Sequence, residues 1–182
     1  MQLDLVERAR GGDRTAFAEL AAASIGRLFN IAQLMLHDRD LADDAVQETL
    51  VQAWRDLRSL RDANGFDAWL HRVLVRCVYR EANRERRRSA SSVYLPAAGV
   101  DPDASTNVAD RDAIDRAFKR LRPEHRVVLV LHHYLGFSDD EAAAAMSVPA
   151  GTVKSRLSRA KAALRSALEA DARGGLAMES VR

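Results

Sequence analysis

The clearest pattern in the chain is a row of apolar residues at helical spacing between Phe66 and Val78. Its members share one side of an ideal helix and are Phe66, Trp69, Leu70, Val73, Leu74, Cys77 and Val78. The other side carries Arg72, Arg76, Arg80 and Arg84 at four-residue steps. No β-branched run alternates with polar residues, and the 182 residues include only 4 prolines and 9 glycines. We therefore expect an all-α fold.

Helical periodicity forms two blocks separated by a segment of different composition. Residues 89–106 show no apolar stripe and contain Ser91, Ser92, Pro96, Gly99, Pro102 and Ser105. This segment is expected to be a flexible linker. Because a chain of this length accommodates two domains only if each is compact, the sequence predicts two small helical domains, residues 1–88 and 107–172. Residues 173–182 are expected to form a disordered tail.

Capping residues set the expected helix bounds in the first block. Asp13 is expected to cap a helix over residues 14–36, and Asp40 a second helix that ends near Leu60. A short turn over residues 61–65 then leads into the helix that begins at Phe66.

The second block has the spacing of a helix-turn-helix. A helix over residues 107–121 is followed by Pro123, a first-turn residue that opens a helix ending near Leu135. Ser138 and Glu141 form a capping box. It starts a short helix over 139–146, which is followed by a turn over 147–150 and a basic helix from 151 to about 170. A short helix, a tight turn and a basic helix are the parts that place a recognition helix in the major groove.

The net charge of +2 conceals a strong separation of charge along the chain. Residues 38–48 contain five acids and one arginine, and residues 72–88 contain seven arginines and two glutamates. Residues 154–165 contain five basic residues and no acid. Taken singly, such runs are most often solvated helix faces. Together they are typical of a protein that meets different partners with its acidic and basic surfaces, and nucleic acid is the candidate partner of the basic ones.

The last helix divides into an inward and an outward side on an ideal wheel. The inward side carries Val153, Leu157, Ala160 and Leu164, and the outward side Ser155, Ser158 and Arg159. Lys154 and Lys161 lie on one flank and Arg156 on the other. Small polar residues between basic flanks suit base reading in the middle and phosphate contact at the edges. The plainer alternative is an ordinary amphipathic surface helix.

Three stretches resemble the extracytoplasmic-function sigma factors. DDAVQETLVQAWR from Asp43 resembles the polymerase-binding helix of region 2 in that family, and FDAWLHRVLVR from Phe66 resembles the helix that follows it. The stretch from Leu121, LRPEHRVVLVLHHYLGFSDDEAAAAMSVPAGTVKSRLSRAKAAL, is similar to their region 4. Ser147 stands where the family's turn often has glycine, so this turn is expected to need a strained left-handed residue. Ser158 stands where the family often has a larger side chain.

The resemblance implies roles for named residues in a protein that carries polymerase to promoters. Core RNA polymerase is expected to bind Asp44, Gln47, Glu48 and Arg55. The −10 promoter element is expected to contact Asn64, Arg72, Arg76 and Arg80, with Asn64 gripping an extruded base. The −35 element is expected to contact His132, Lys154, Ser155, Arg156, Ser158, Arg159 and Lys161. An anti-sigma factor is the expected further partner.

Little in the sequence favours catalysis. The lone Cys77 excludes a disulfide within the chain and a thiolate-rich zinc site. His132 and His133 are adjacent on a helix and point about 100° apart, so they cannot easily share one metal ion. No metal, cofactor or enzymatic activity is expected. Because the first residues lack a secretory signal and no apolar stretch is long enough to span a bilayer, we expect a cytoplasmic protein without a membrane partner.

Two other functions remain open from the sequence. A helix-turn-helix transcriptional regulator would dimerise on DNA without sigma activity, but it leaves the DDAVQETLVQAWR segment unexplained. A pure interaction protein, whose charged helices meet other helices, leaves the recognition-helix pattern unexplained. Copurification with core polymerase would separate all three.

Overall fold

A computed structural model of the chain describes residues 2–89 and 108–179. Every regular element in these ranges is helical, which confirms the expected all-α fold, and the chain divides into two compact units. The predicted linker lies outside the described residues except for Ser89, which ends the last helix of the first unit. Within the described ranges no helix is both long and apolar enough to cross a membrane.

The first unit is built around its second helix. The helices are α1 (Gln2–Arg10), α2 (Arg14–Leu36), α3 (Arg39–Asp56) and α4 (Phe66–Ser89). Short 3-10 turns at Leu57–Ser59 and Ala63–Gly65 lie between α3 and α4, where the sequence predicted that α3 would continue to about Leu60. Helix α2 packs against α1, α3 and α4, and α3 packs against α4.

The core of the first unit buries the apolar stripe of α4. All stripe residues from Phe66 to Val78 are buried, and they share the core with Leu28, Ile31 and Met35 of α2. Burying a side chain of this size stabilises the fold by about 1.5–3 kcal/mol relative to exposing it. The stripe therefore holds α4, and the arginines on its other side, in one orientation.

Helix α1 is an element that the sequence pattern did not predict. It is 9 residues long, and a helix of this length is marginal unless packing supports it, as burial of Val6 does here. Asp13 caps α2 as expected, because its Oδ1 accepts hydrogen bonds from the N–H groups of Thr15 at 2.9 Å and Ala16 at 3.1 Å. Its Oδ2 accepts from Arg8 Nη2 at 2.7 Å. The cap of α2 thus also anchors α1.

The expected cap of α3 is wrong by two residues. Asp38, not Asp40, caps the helix, and its Oδ1 accepts from the N–H of Leu41 at 3.0 Å. His37 ends α2 in a left-handed conformation with φ 58°. The next residue, Asp38, then takes the cap position of α3. Asp40 lies in the first turn, where its charge complements the helix dipole.

The second unit is built on its last helix. The helices are α5 (Val108–Lys119), α6 (Pro123–Leu129), α7 (Asp139–Met146) and α8 (Ala150–Glu179). Helices α5 and α6 pack against α8. Helix α8 continues beyond the predicted end near Ala170, so residues 173–179 are helical where a disordered tail was expected. The glycines at 174 and 175 each cost a helix about 1 kcal/mol relative to alanine, but they do not block it as proline does.

The helix that Pro123 opens does not stay α-helical to Leu135. After Leu129 it becomes a π turn over Val130–Tyr134, in which the N–H of Leu135 donates to the Val130 carbonyl at 3.0 Å. A single π turn is defined by its backbone hydrogen bonds, so the side-chain pattern did not predict it. The turn carries His132 and His133.

Arg126 is a buried cation on α6. Arg126 is 7% exposed, and its Nη1 donates a hydrogen bond to the Leu121 carbonyl at 2.8 Å. Burial lowers the pKa of Arg126 to about 10, against the opposing charge of Glu124. The side chain stays charged at neutral pH, and a buried charge of this kind requires hydrogen-bond partners. Arg126 therefore ties the turn before Pro123 to α6.

The helix-turn-helix has the expected capping box and the expected strained turn. The N–H of Glu141 donates to Ser138 Oγ at 3.3 Å, and the N–H of Ser138 donates to Glu141 Oε2 at 2.9 Å. Ser147 follows α7 with φ 54°, a left-handed conformation that glycine adopts without the steric cost paid by serine. Ala142 and Met146 of the alanine-rich α7 are buried.

Candidate nucleic-acid interface

Helix α8 presents a polar face opposite a buried face, as its sequence predicts. Val153, Leu157 and Ala160 are buried, and Leu164 is half-buried. The exposed residues are Lys154, Ser155, Ser158, Arg159 and Lys161, while Arg156 is half-buried. One side of the helix is held by its unit, and the other offers small polar and basic groups to a partner.

Two outward residues of α8 contact each other. Arg159 donates from Nε to the Ser155 carbonyl and from Nη2 to Ser155 Oγ, both at 3.1 Å. Ser155 Oγ in turn donates to the Thr152 carbonyl at 3.0 Å. A guanidinium presents its donors in a fixed fork that matches the edge of guanine. The contacts with Ser155 restrict where that fork points.

The π turn places its histidines unequally. His132, the predicted −35 contact, is half-buried, and its ring centroid lies 5.0 Å from that of exposed His133. Desolvation of the ring, and then the charge of Lys161 on α8, lower the pKa of His133. The sequence prediction did not include His133 among its DNA contacts.

A second histidine lies close to the basic face of α8. Burial is the main cause that lowers the pKa of His125, and Glu124 opposes it. Arg122, the cap residue of α6, and then Arg159 and Arg156 on α8 lower that pKa further. His125 was also missing from the sequence prediction, because no spacing within α6 relates it to residues of α8.

The outward face of α3 carries the residues predicted to bind polymerase. Asp44, Gln47, Glu48 and Arg55 are all exposed. Val51 lies on the same side at helical spacing and is 45% exposed. The face thus combines acidic groups with an apolar centre, a composition suited to a protein partner. The spacing from Gln47 could have identified Val51.

The arginine row of α4 faces outward in part. Arg76 and Arg80 are exposed and Arg72 is half-buried. Arg76 Nε donates to the Arg72 carbonyl at 3.4 Å. Arg80 Nη2 lies 3.3 Å from Cys77 Sγ and also forms an ion pair with Glu48 of α3. Residues predicted to bind different partners are therefore in contact.

Asn64 lines a surface cavity of about 210 Å³ in the first unit. The other lining residues are Gln2, Leu3, Ala63, Phe66 and Asp67. Asn64 is exposed, and its backbone N–H and its Nδ2 both donate to Asp62 Oδ1, at 3.0 and 2.9 Å. These two hydrogen bonds lower the pKa of Asp62. The Asn64 amide is consequently held in one orientation.

One wall of this cavity is tied to α2 by an ion pair. Arg27 Nη2 lies 2.6 Å from Asp67 Oδ1. His71 is close to both, and its Nε2 is buried without a hydrogen-bond partner among the described residues. Burial, and then the charge of Arg27, lower the pKa of His71, while Asp67 opposes the shift.

Two family descriptions match the chain. Sigma-70 region 2 matches residues 20–88, and Sigma-70 region 4 matches residues 111–164. The ECF RNA polymerase sigma factor SigM of Mycobacterium tuberculosis is 35% identical over 156 residues, which cover 84% of this chain and 77% of that protein. The chain belongs to the extracytoplasmic-function sigma factors of the sigma-70 family. This sigma factor directs promoter-specific transcription initiation by RNA polymerase.

Other relatives of the sigma factor agree with this assignment. The RNA polymerase sigma-E factor of Streptomyces avermitilis is 34% identical, with 87% of this chain and 88% of that protein covered. The sigma factor RpoE of Bartonella quintana, solved with the anti-sigma factor NepR, is 28% identical with a TM-score of 0.64 over 85% of this chain and 98% of that chain. CnrH, solved with the cytosolic domain of CnrY, is 28% identical with a TM-score of 0.56 over 93% and 98%.

The second unit of the sigma factor includes contacts made by residues outside the region 4 match. Asp171 of α8 lies outside residues 111–164, yet its carboxylate pairs with Arg116 at 3.3 Å and with Arg120 at 2.7 Å, both in the segment of α5 and the turn after it. Its side chain is 9% exposed. The match to region 2 does not favour a regulator that acts on DNA without sigma activity.

Proposed function

We propose that the outward face of α3 binds core RNA polymerase, through Asp44, Gln47, Glu48 and Arg55, and that both units bind promoter DNA. Residues 1–88 act as region 2 and residues 107–172 as region 4. The observation that supports the proposal most is the division of α8, where Leu157 is buried and Arg159 exposed on opposite sides. Such a helix enters the major groove with its outward side toward the bases.

The −35 element contacts the second unit. Ser155, Ser158 and Arg159 face the base edges, and Lys154, Arg156, Lys161 and His132 contact phosphates at the flanks. The Arg159 contacts with Ser155 orient the guanidinium before DNA arrives, which reduces the side-chain entropy cost of binding.

The −10 element contacts the first unit. Asn64 grips an extruded base of the non-template strand, and Arg72, Arg76 and Arg80 neutralise its backbone. The orientation of the Asn64 amide by Asp62 supports the first role. The exposure of Arg76 and Arg80 supports the second.

The proposed function also bears on the regulator of this chain, its place in the cell and its lack of catalytic activity. Two of the solved relatives are complexes, one with an anti-sigma factor and one with a cytosolic partner domain, and an anti-sigma factor is proposed to bind this chain as well. We place the protein in the cytoplasm, where polymerase meets DNA. It acts by binding, without metal, cofactor or catalytic activity of its own, and polymerase performs the chemistry.

In vitro transcription on a randomised promoter library tests the proposal. The full chain with core polymerase should enrich templates with conserved −10 and −35 segments, which core polymerase alone should not enrich. Equal enrichment with and without the chain would refute the proposal. Binding of the chain to a palindrome without polymerase, and no binding to polymerase, would instead support a conventional regulator.

A further inference from the structure

We propose that Asp67 of α4 accepts a hydrogen bond from the exocyclic amino group of the base that the first unit extrudes from the −10 element. Adenine, cytosine and guanine carry such a group, and thymine does not. The inference rests on the proposed capture of that base by Asn64. It adds the residue that decides which bases are accepted.

Asp67 and Asn64 line the same cavity of about 210 Å³. One water molecule takes up roughly 30 Å³ of liquid volume, so a cavity several times larger has room for a planar ring. Leu3, Ala63 and Phe66 add apolar groups to its wall. The lining thus combines apolar side chains, which contact the face of a base, with polar groups that can read its edge.

The Asp67 carboxylate is held from two sides. Its Oδ1 lies 2.6 Å from Arg27 Nη2 on α2, and its Oδ2 accepts a hydrogen bond from Gln2 Nε2 on α1 at 3.5 Å. Helix α1 also packs against the 3-10 turn that carries Asn64. Both polar groups are therefore oriented before DNA arrives, Asp67 by α1 and α2, and Asn64 by Asp62.

The ion pair of Asp67 with Arg27 serves orientation more than stability. The two side chains are 42% and 45% exposed, and exposed ion pairs add little to the stability of a fold. A carboxylate offers about four lone-pair sites, so these contacts leave it able to accept another hydrogen bond. Arg27 also compensates the charge of the carboxylate when a negatively charged strand approaches.

The chemistry of a carboxylate decides which base it can hold. When ionised it accepts hydrogen bonds and donates none. An exocyclic amine supplies the donor that it needs, as the amine of cytosine does for aspartate in DNA complexes. Thymine has carbonyl oxygens on both sides of its single ring N–H, and these oxygens repel a carboxylate. Asp67 therefore favours an extruded base that carries an amine over thymine.

The experiment measures the affinity of the full chain, bound to core polymerase, for fluorescent single strands that carry a −10 sequence selected by the same complex. The extruded position is the one at which N64A changes the ranking of bases. At that position the wild type should bind an amine-bearing base about tenfold more tightly than thymine, as expected for one hydrogen bond to a charged group. D67N, whose amide both donates and accepts, should reduce this preference to about twofold. E19Q, the same acid-to-amide change at an exposed residue of α2, should keep it.

Arg27 is tested as a positioning residue. R27M should weaken the preference for an amine-bearing base because Asp67 loses its anchor, and R27K should restore part of it. A purely structural role would lower the melting temperature without changing the preference. A wild-type preference in R27M would refute the positioning by Arg27.

Amine-deleted bases test the inference with the wild-type chain, and they decide it if D67N does not fold in a thermal melt. The replacements are purine for adenine, hypoxanthine for guanine and 2-pyrimidinone for cytosine, and loss of the amine should weaken binding about tenfold. Equal binding of the replacement and the natural base overturns the inference, and so does a wild-type preference for thymine.

Two variants separate this inference from the proposed base capture. If N64A changes the ranking at no position, base capture itself is refuted. A changed ranking in N64A together with a wild-type preference in D67N refutes only the role of Asp67.

Discussion

The guanidinium of Arg80 on α4 lies 3.5 Å from the carboxylate of Glu48 on α3. The two side chains are 57% and 50% exposed, and a surface pair of this kind contributes only about 0–1 kcal/mol. Glu48 belongs to the proposed polymerase face and Arg80 to the proposed −10 face. The two proposed surfaces therefore adjoin, and the ion pair is weak enough to be replaced by a contact with either proposed partner.

The double substitution D44R with E48R should weaken binding to core polymerase by at least about tenfold. Reversing two charges that face complementary groups across an interface costs more than about 1.4 kcal/mol of binding free energy. Both side chains are exposed, so the fold should persist. E19R on α2, another exposed acid of the same unit, is the control and should bind polymerase normally. Competition with unlabelled wild type measures the affinities. Equal affinity for the double variant and wild type would defeat the assignment of this face.

Replacing Arg76 by alanine should weaken binding to all −10 sequences evenly and lower the slope of log affinity against log salt, by about 0.7 for each single-strand phosphate that is no longer neutralised. Asn64→Ala should instead change the ranking of −10 sequences with little effect on the slope. Transcription from a −10 library at several salt concentrations measures both. A ranking unchanged by Asn64→Ala would contradict base capture by that residue.

Within α8, Arg159→Ala should redistribute preference among −35 sequences, with a bidentate contact worth about 1–3 kcal/mol of discrimination. Lys161→Ala should weaken all sequences more evenly, because a phosphate contact carries no base information. A −35 library selection compares the two variants. Identical sequence profiles from the two variants would show that the helix is placed wrongly in the groove.

Leu157→Ala should unfold the second unit before any change of specificity can be measured. Leu157 is 8% exposed, and loss of a buried leucine typically costs about 2–5 kcal/mol. Thermal melts followed by circular dichroism test this, with Ser158→Ala at the adjacent exposed position as the control. A melt of Leu157→Ala that coincides with wild type would contradict the burial of this face.

The first unit should lose stability as the pH falls below about 6.5 because of His71. Its pKa in the folded protein is lowered from the ordinary 6.5, so the unfolded chain takes up the proton first and its population is favoured as pH falls. His71→Gln should reduce the drop in melting temperature between pH 7.5 and pH 5.5. A variant with the same pH dependence as wild type would show that His71 does not contribute to it.

Much of the fold could be predicted from local pattern, because caps and apolar stripes act over one or two turns. The Asp13 cap, the capping box at Ser138 and the left-handed Ser147 are all present as expected. The inward and outward sides of α8 also agree with the helical wheel. These features depend only on residues that lie near one another in sequence.

The features that the sequence pattern did not predict depend on packing or on contacts between helices. Helix α1 is too short to show a stripe and is held by buried Val6. The charge of Lys161 on α8 helps to lower the pKa of His133 in the π turn, an effect between residues from different parts of the chain. The ion pair of Glu48 with Arg80 likewise joins α3 to α4. No spacing within one helix reports such contacts.

The carboxylate of Asp171, held by Arg116 and Arg120, has a practical consequence for anyone who isolates the DNA-binding part of this chain. A fragment cut at residue 164, where the similarity to region 4 ends, would leave both arginines without their shared acid. Their repulsion would then loosen α5 from α8. A fragment of the second unit should therefore extend through Asp171 so that it keeps both ion pairs.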